Sequence, residues 1–99
     1  IALGVLDDIK LTALKVQLEP GDVLVLYTDG VTEAHDSNGV EFDLSGLERT
    51  ARLYCRESAR TIIGAVIETL DRHTGDEPQF DDLTLVVVRR QEKGEAAPP

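Results

Sequence analysis

"VLVLYTDGVTEA", residues 23–34, carries an unbroken apolar run from Val23 to Tyr27 into Thr28-Asp29-Gly30 and then turns polar. A run of this kind is expected of a strand covered on both faces. Asp29 therefore stands where a buried strand surfaces. A carboxylate at that spot can be a turn former, a phosphorylated nucleophile or a metal ligand, and the flanking sequence has to separate the three.

Upstream, Leu14, Val16 and Leu18 alternate with Lys15, Gln17 and Glu19, the period of a half-exposed strand. Pro20-Gly21 supplies a turn, so this segment and the run after it predict a hairpin. Downstream, His35-Asp36-Ser37-Asn38-Gly39 reads as a tight turn. Ser45-Gly46-Leu47-Glu48 fits a capping box that opens a helix, with Leu47, Ala51 and Tyr54 on one face. A second helix is predicted from Ser58, with Ile62, Ile63, Val66, Ile67 and Leu70 as its apolar stripe and Gly75 to Pro78 as its end. Leu83 to Val88, apolar except for Thr84, is another strand, bounded by Asp81-Asp82 and Arg89-Arg90. Residues 91–99 read as a disordered tail, and no internal repeat is present.

The length of 99 residues allows one domain, and 41% apolar content is enough for a core. A chain this short buries a smaller share of its surface than a larger one would. It opens on Ile1-Ala2-Leu3 without a methionine, which leads us to expect a segment of a longer protein. The formal charge of -9 argues against nucleic acid as partner, since that binding draws on clustered Lys and Arg. No apolar run approaches a membrane span. A lone Cys55 fits a reducing compartment, so cytoplasm is the expected location, and its place beside Leu53 and Tyr54 suits a core or boundary thiol. His35 and His73 lie in no ligand-spaced pair, and each reads as a surface residue.

Asp29 lies at the exit of one apolar strand, and Asp81 and Asp82 at the start of the other. If the two strands are antiparallel neighbours, these carboxylates converge on one sheet edge. If they are parallel, they sit a strand length apart, roughly 17 Å. Converging carboxylates repel, and what relieves them is a shared proton, a basic partner or a hard divalent cation. No Lys or Arg occurs between Val23 and Glu48 or between Gly75 and Val88, which favours the cation. The plainer reading, that Asp-Gly and Asp-Asp are turn chemistry at strand ends, stays open at this point.

Rival motifs fail on the letters. A phosphoaspartate phosphatase of the haloacid dehalogenase type needs a nucleophilic Asp two residues before Asp29, where Tyr27 stands. An EF-hand loop with Gly39 at its sixth position would begin on Ala34 and end on Ser45, neither of which supplies the required carboxylate. No Gly-rich phosphate loop is present.

"LEPGDVLVLYTDGVTEA", the "NGVEF" after it and "FDDLTLVVVR" near the end together resemble the metal-dependent serine/threonine protein phosphatases. The closest branch is that of the bacterial stage II sporulation protein E and stress-regulator phosphatases. The resemblance covers Gly4 to Arg90 with the three blocks in register. It implies an α+β fold, part of an α-β-β-α sandwich with mostly antiparallel sheets, as in the type 2C phosphatases. By the same resemblance, Asp29 and Asp81 bind a catalytic manganese or magnesium ion. Gly30 serves backbone geometry, Asp82 stands outside the ligand set at the head of its strand, and Glu33 and Thr84 complete their motifs structurally.

The family's first half, with an Asp that bridges two metals and a Gly that ligates through its carbonyl, has no counterpart here. Residues 1–90 thus look like the C-terminal half of such a domain, for which the N-terminal half is a partner and an upstream sensor domain a possible neighbour. The activity implied for the whole is direct hydrolysis by water activated between two cations, without a covalent intermediate. The implied substrate is phosphoserine or phosphothreonine on a small regulatory protein, such as an anti-sigma-factor antagonist. These residues alone are expected to be inactive. The competing reading is a degenerate phosphatase fold that binds or senses a partner without catalysis.

Overall fold

The computed structural model describes residues 2–5, 17–78 and 82–95. In chain order the elements are β1 (Ala2–Val5), β2 (Val23–Tyr27), the single turn α1 (Asp29–Thr32), α2 (Asp43–Leu53), α3 (Ala59–Thr74) and β3 (Leu85–Arg89). The three strands form one sheet in the order β1-β2-β3. β1 runs parallel to β2 with Ala2 opposite Leu24, and β3 runs antiparallel to it with Tyr27 opposite Leu85. The molecule is a mixed helix and strand structure, in agreement with the α+β class.

β1 occupies one edge of β2 from Leu24 to Tyr27, and β3 occupies the other from Val23 to Tyr27. A strand has only two hydrogen-bonding edges, so the hairpin predicted with the segment before Pro20 does not form on β2. Leu14, Lys15 and Val16 lie outside the described residues, and Gln17 to Glu19 are irregular. The turn itself is present. The Asp22 amide donates to the Glu19 carbonyl at 2.9 Å, and the Glu19 amide donates to Asp22 Oδ2 at 3.0 Å. Gly21 sits at φ +86°, where glycine carries no Cβ penalty. Its amide reaches the Arg90 carbonyl at 2.8 Å, which carries the β2–β3 ladder past the strand ends.

Side chains on a strand alternate between faces. Val23, Val25 and Tyr27 of β2 and Val87 of β3 point into the core, where they meet Val31, Phe42, Leu47 and Ala51, and Ile62, Val66 and Leu70 of α3. α3 packs on β3, and α2 packs on α3. The other face carries Leu24 and Leu26, half-buried, and Val86 and Val88, exposed. Gly4 of β1 lies close against it, since a Cβ there would stand 3.1 Å from Leu26 Cδ2.

α2 begins two residues before the predicted capping box. Phe42 is buried, and its amide donates to the Ala34 carbonyl at 2.6 Å, which anchors the chain ahead of the helix. Asp43 takes φ 66°, a left-handed conformation that Asp tolerates, and its Oδ1 accepts from the Leu44 amide at 2.8 Å. Ser45 is therefore inside the helix, and Glu48 accepts from Arg52 one turn on instead of reaching back. On the predicted face Leu47 and Ala51 are buried, whereas Tyr54 falls beyond the last turn and is exposed. Thr50 takes that place in the core, its hydroxyl donating to the Gly46 carbonyl at 2.9 Å.

α3 follows its pattern closely. Ser58 Oγ accepts from the Thr61 amide at 3.2 Å as N-cap. Ile62, Val66 and Leu70 are buried, Ile63 is half-buried and Ile67 is exposed, so the stripe is narrower than predicted. Gly75 ends the helix at φ +59°. The loop from His35 to Glu41 is closed by Asp36, whose Oδ1 accepts from the Asn38 and Val40 amides, each at 2.9 Å. The Val40 amide above all holds this carboxyl below its usual range. His35 and His73 are both half-buried rather than on the surface. His73 Nε2 lies 2.7 Å from the Val40 carbonyl, and its ring packs edge-on against Phe42.

Candidate functional site

The antiparallel pairing of β2 and β3 brings the exit of one and the start of the other to the same sheet edge. Three hydrogen bonds fasten them there, all through Thr28. Its amide donates to the Thr84 carbonyl at 3.1 Å, and its hydroxyl accepts from the Thr84 amide at 3.0 Å. The same hydroxyl donates to the Asp82 carbonyl at 3.2 Å. Thr28 is the N-cap of α1, yet its side chain makes no cap bond, because it is turned across to the neighbouring strand. Sequence reasoning passed over this residue. A hydroxyl directly before Asp-Gly at a strand exit was the available signal.

Asp29 is the first residue of α1 and is exposed. Its carbonyl accepts from the Glu33 amide at 2.8 Å, so the backbone is held by the turn. Among the described residues, no group hydrogen-bonds or pairs with the Asp29 carboxylate. Gly30 and Val31 behind it are buried. Asp82 is exposed, and its bond to Thr28 runs through the backbone, not the carboxylate. Thr84 lends both its amide and its carbonyl to the clamp. Glu33 is exposed at the end of α1. Asp81 lies outside the described residues, next in the chain to Asp82.

Beside Gly30 a cavity of about 260 Å³ opens, rimmed by Glu33, Glu41, Asp71 and Glu77 over Leu70 and Leu83. His35 Nε2 stands 3.9 Å from Glu77 on its wall. The pocket gathers residues from α1, the 35–41 loop, α3 and the approach to β3, a convergence that no local pattern in the sequence announces.

Among the described residues, the Asp29 and Asp82 carboxylates at this edge have no basic partner, and oxygen donors of this kind suit a hard divalent cation. Among the described residues, no group of three or more His, Cys, Asp or Glu side chains is gathered closely enough to hold a metal on its own.

The profile of the stage II sporulation protein E family matches residues 1–91. The chain belongs to that family. The resemblance read from its three sequence blocks, to the branch of stage II sporulation protein E and the stress-regulator phosphatases, is borne out. Family relatives include Phosphoserine phosphatase RsbU of Bacillus subtilis (strain 168), 31% identical over 91 residues, which are 92% of this chain and 27% of that protein. Protein IcfG of Synechocystis sp. (strain ATCC 27184 / PCC 6803 / Kazusa) is 33% identical over 90 residues, 90% of this chain and 14% of that protein. This family member thus spans about a quarter or less of the length of these relatives. No solved structure matches it. Among its described residues, no helix is long and apolar enough to cross a membrane.

Proposed function

We propose that the chain is the C-terminal half of a metal-dependent phosphoprotein phosphatase domain, completed by an N-terminal half in a longer protein. The observation that carries this reading is the Thr28 clamp, which holds Asp29, whose carboxylate has no partner among the described residues, at the same edge as the Asp82 backbone. Family membership and the likeness to a phosphoserine phosphatase support it from outside the geometry. The substrate would be phosphoserine or phosphothreonine on a small regulatory protein such as an anti-sigma-factor antagonist. The fold of the complete domain would be the two-sheet sandwich, with a second sheet on the Leu24, Leu26, Val86 and Val88 face.

Asp29 and Asp81 would hold manganese or magnesium, and Asp82 would not. When bound, such an ion neutralises phosphate oxygens and lowers the pKa of a coordinated water. The chain's own residues contribute position. The α1 turn fixes the Asp29 backbone, and Thr28 fixes the backbone of Asp82, next in the chain to the second carboxylate. Gly30 is buried, directly behind Asp29, on the side away from solvent.

The test is manganese-dependent hydrolysis of a generic phosphate ester by the full-length protein. Loss of a residue that merely orients a metal ligand lowers affinity or activity about 10–100-fold. Direct ligands should cost more, so Asp29→Asn and Asp81→Asn should each lower turnover by roughly 100-fold or more. Asp82→Asn should cost less than about 10-fold. The 99-residue chain alone should show no turnover, because the bridging carboxylate of the two-metal site is assigned to the other half. Wild-type turnover by Asp29→Asn would overturn the assignment, and equal loss at Asp82 would move the ligand by one residue.

A further inference from the structure

Between α2 and the C-terminal half of α3 lies a trough of about 560 Å³. Its floor is Phe42, with the His73 ring edge-on against it at 5.7 Å. The bond from His73 Nε2 to the Val40 carbonyl ties the 35–41 loop to α3, so the trough is held by contacts between three separate elements. Gly46 opens it. A Cβ there would stand 3.0 Å from the Phe42 ring, closer than ordinary van der Waals contact, so Gly46 lets α2 pack close to that ring. Around the rim stand Val40, Leu53 and Tyr54, with 56%, 77% and 37% of their surface exposed. Single exposed apolar side chains are ordinary, but three around one depression form a patch.

The charge of this rim departs from that of the molecule. The chain has 19 Asp and Glu against 10 Lys and Arg. The trough nevertheless gathers Arg49 and Arg72 against one lining carboxylate, Glu41. Arg72 shares its charge with Glu68 one turn back. Among the described residues, Arg49 has no ion-pair partner. An apolar depression with an unneutralised guanidinium on its lip complements a segment that carries both apolar and acidic groups.

We infer that this trough is a docking site for an acidic amphipathic helix of another protein, its apolar face over Val40, Leu53 and Tyr54 and a carboxylate against Arg49. An amphipathic helix laid into a hydrophobic groove is a recurrent mode of recognition. The site lies on different elements from the β2–β3 edge and does not depend on the phosphatase reading.

The probe is a fluorescein-labelled synthetic helix with leucines at i, i+3, i+4 and i+7 flanked by glutamates, titrated with the full-length protein. A control helix carries lysines in place of the glutamates. The glutamate helix should bind, its affinity falling with added salt, and the lysine helix should not. Arg49→Glu and Leu53→Asp, both at exposed positions, should each weaken binding roughly tenfold or more while leaving helical circular dichroism unchanged. Equal binding of the two helices would overturn the inference, as would binding that survives either substitution. Failure of both helices to bind, the result expected if a second copy or another part of the same polypeptide fills the trough, would also overturn it.

Discussion

The two faces of the small sheet are built from the same kind of residue and live in different surroundings. Val23 and Val25 of β2 have no exposed surface, and Val87 of β3 is 9% exposed, because α2 and α3 lie over them. One residue along, Val86 and Val88 are 40% and 44% exposed. An unbroken apolar run says that both faces suit burial, but not what buries them. Helices from within the chain account for one face. The other is apolar without a cover among the described residues, which is what a sheet expecting a second layer looks like.

The sharpest way to break that contrast is to damage the cover. Leu47 of α2 is among the largest fully buried side chains and has no exposed surface. Leu47→Ala removes its packing and leaves a cavity, at about 2–5 kcal/mol. That is a large share of the roughly 5–15 kcal/mol that holds a domain together. Urea unfolding should show a markedly lower midpoint with an unchanged slope. A loss within about 0.5 kcal/mol, the range of surface changes, would mean that the helix layer is not what stabilises this face.

The opposite face sharpens the contrast through a smaller effect. Val88→Thr keeps the β-branched shape and adds a hydroxyl. On an exposed position of the 99-residue chain it should change stability by no more than about 0.5 kcal/mol. In the longer protein, where the proposed second sheet covers this face, the same hydroxyl would be buried without a partner, at about 1–3 kcal/mol. Comparing the two unfolding midpoints tests the sandwich without reference to catalysis. The same small change in both proteins would remove the second layer from the proposal.

Local signals carried much of this fold. The apolar runs give β2 and β3, the Ser58 cap and Gly75 bracket α3, and Pro20-Gly21 and Asp36 to Gly39 form turns because short-range chemistry decides them. What escaped was long-range. β1 has four residues, too short to carry a period, and it displaces the expected hairpin by taking the parallel edge of β2. The start of α2 is set by the burial of Phe42, which outweighs a plausible cap at Ser45. At the site, Asp29 announced itself at the strand exit. Thr28 did not, because its partners Asp82 and Thr84 are 54 and 56 residues away.

The smallest effect lies at the rim of the covered face. Arg89 points to the same side of β3 as Val87, and its side chain is only 4% exposed. Nε donates to the Cys55 carbonyl at 3.0 Å, and Nη1 meets Glu95 Oε2 at 2.6 Å. One guanidinium thus joins the strand, the α2–α3 connection and the start of the tail. The Arg89 hydrogen bond, followed by the Glu92 amide, holds the Glu95 carboxyl below its ordinary 4.5. A carboxyl with a depressed folded-state pKa stabilises the fold above its unfolded value and loses that contribution as pH falls through the folded one. Wild type should therefore be more stable than Glu95→Gln at about pH 7, and the gap should close as the pH is lowered from 4.5 through the depressed value. Unfolding free energies of the two proteins across that range measure it directly. A gap that persists unchanged in acid would show that Glu95 acts through packing, and that the charge on Arg89 is satisfied by the Cys55 carbonyl alone.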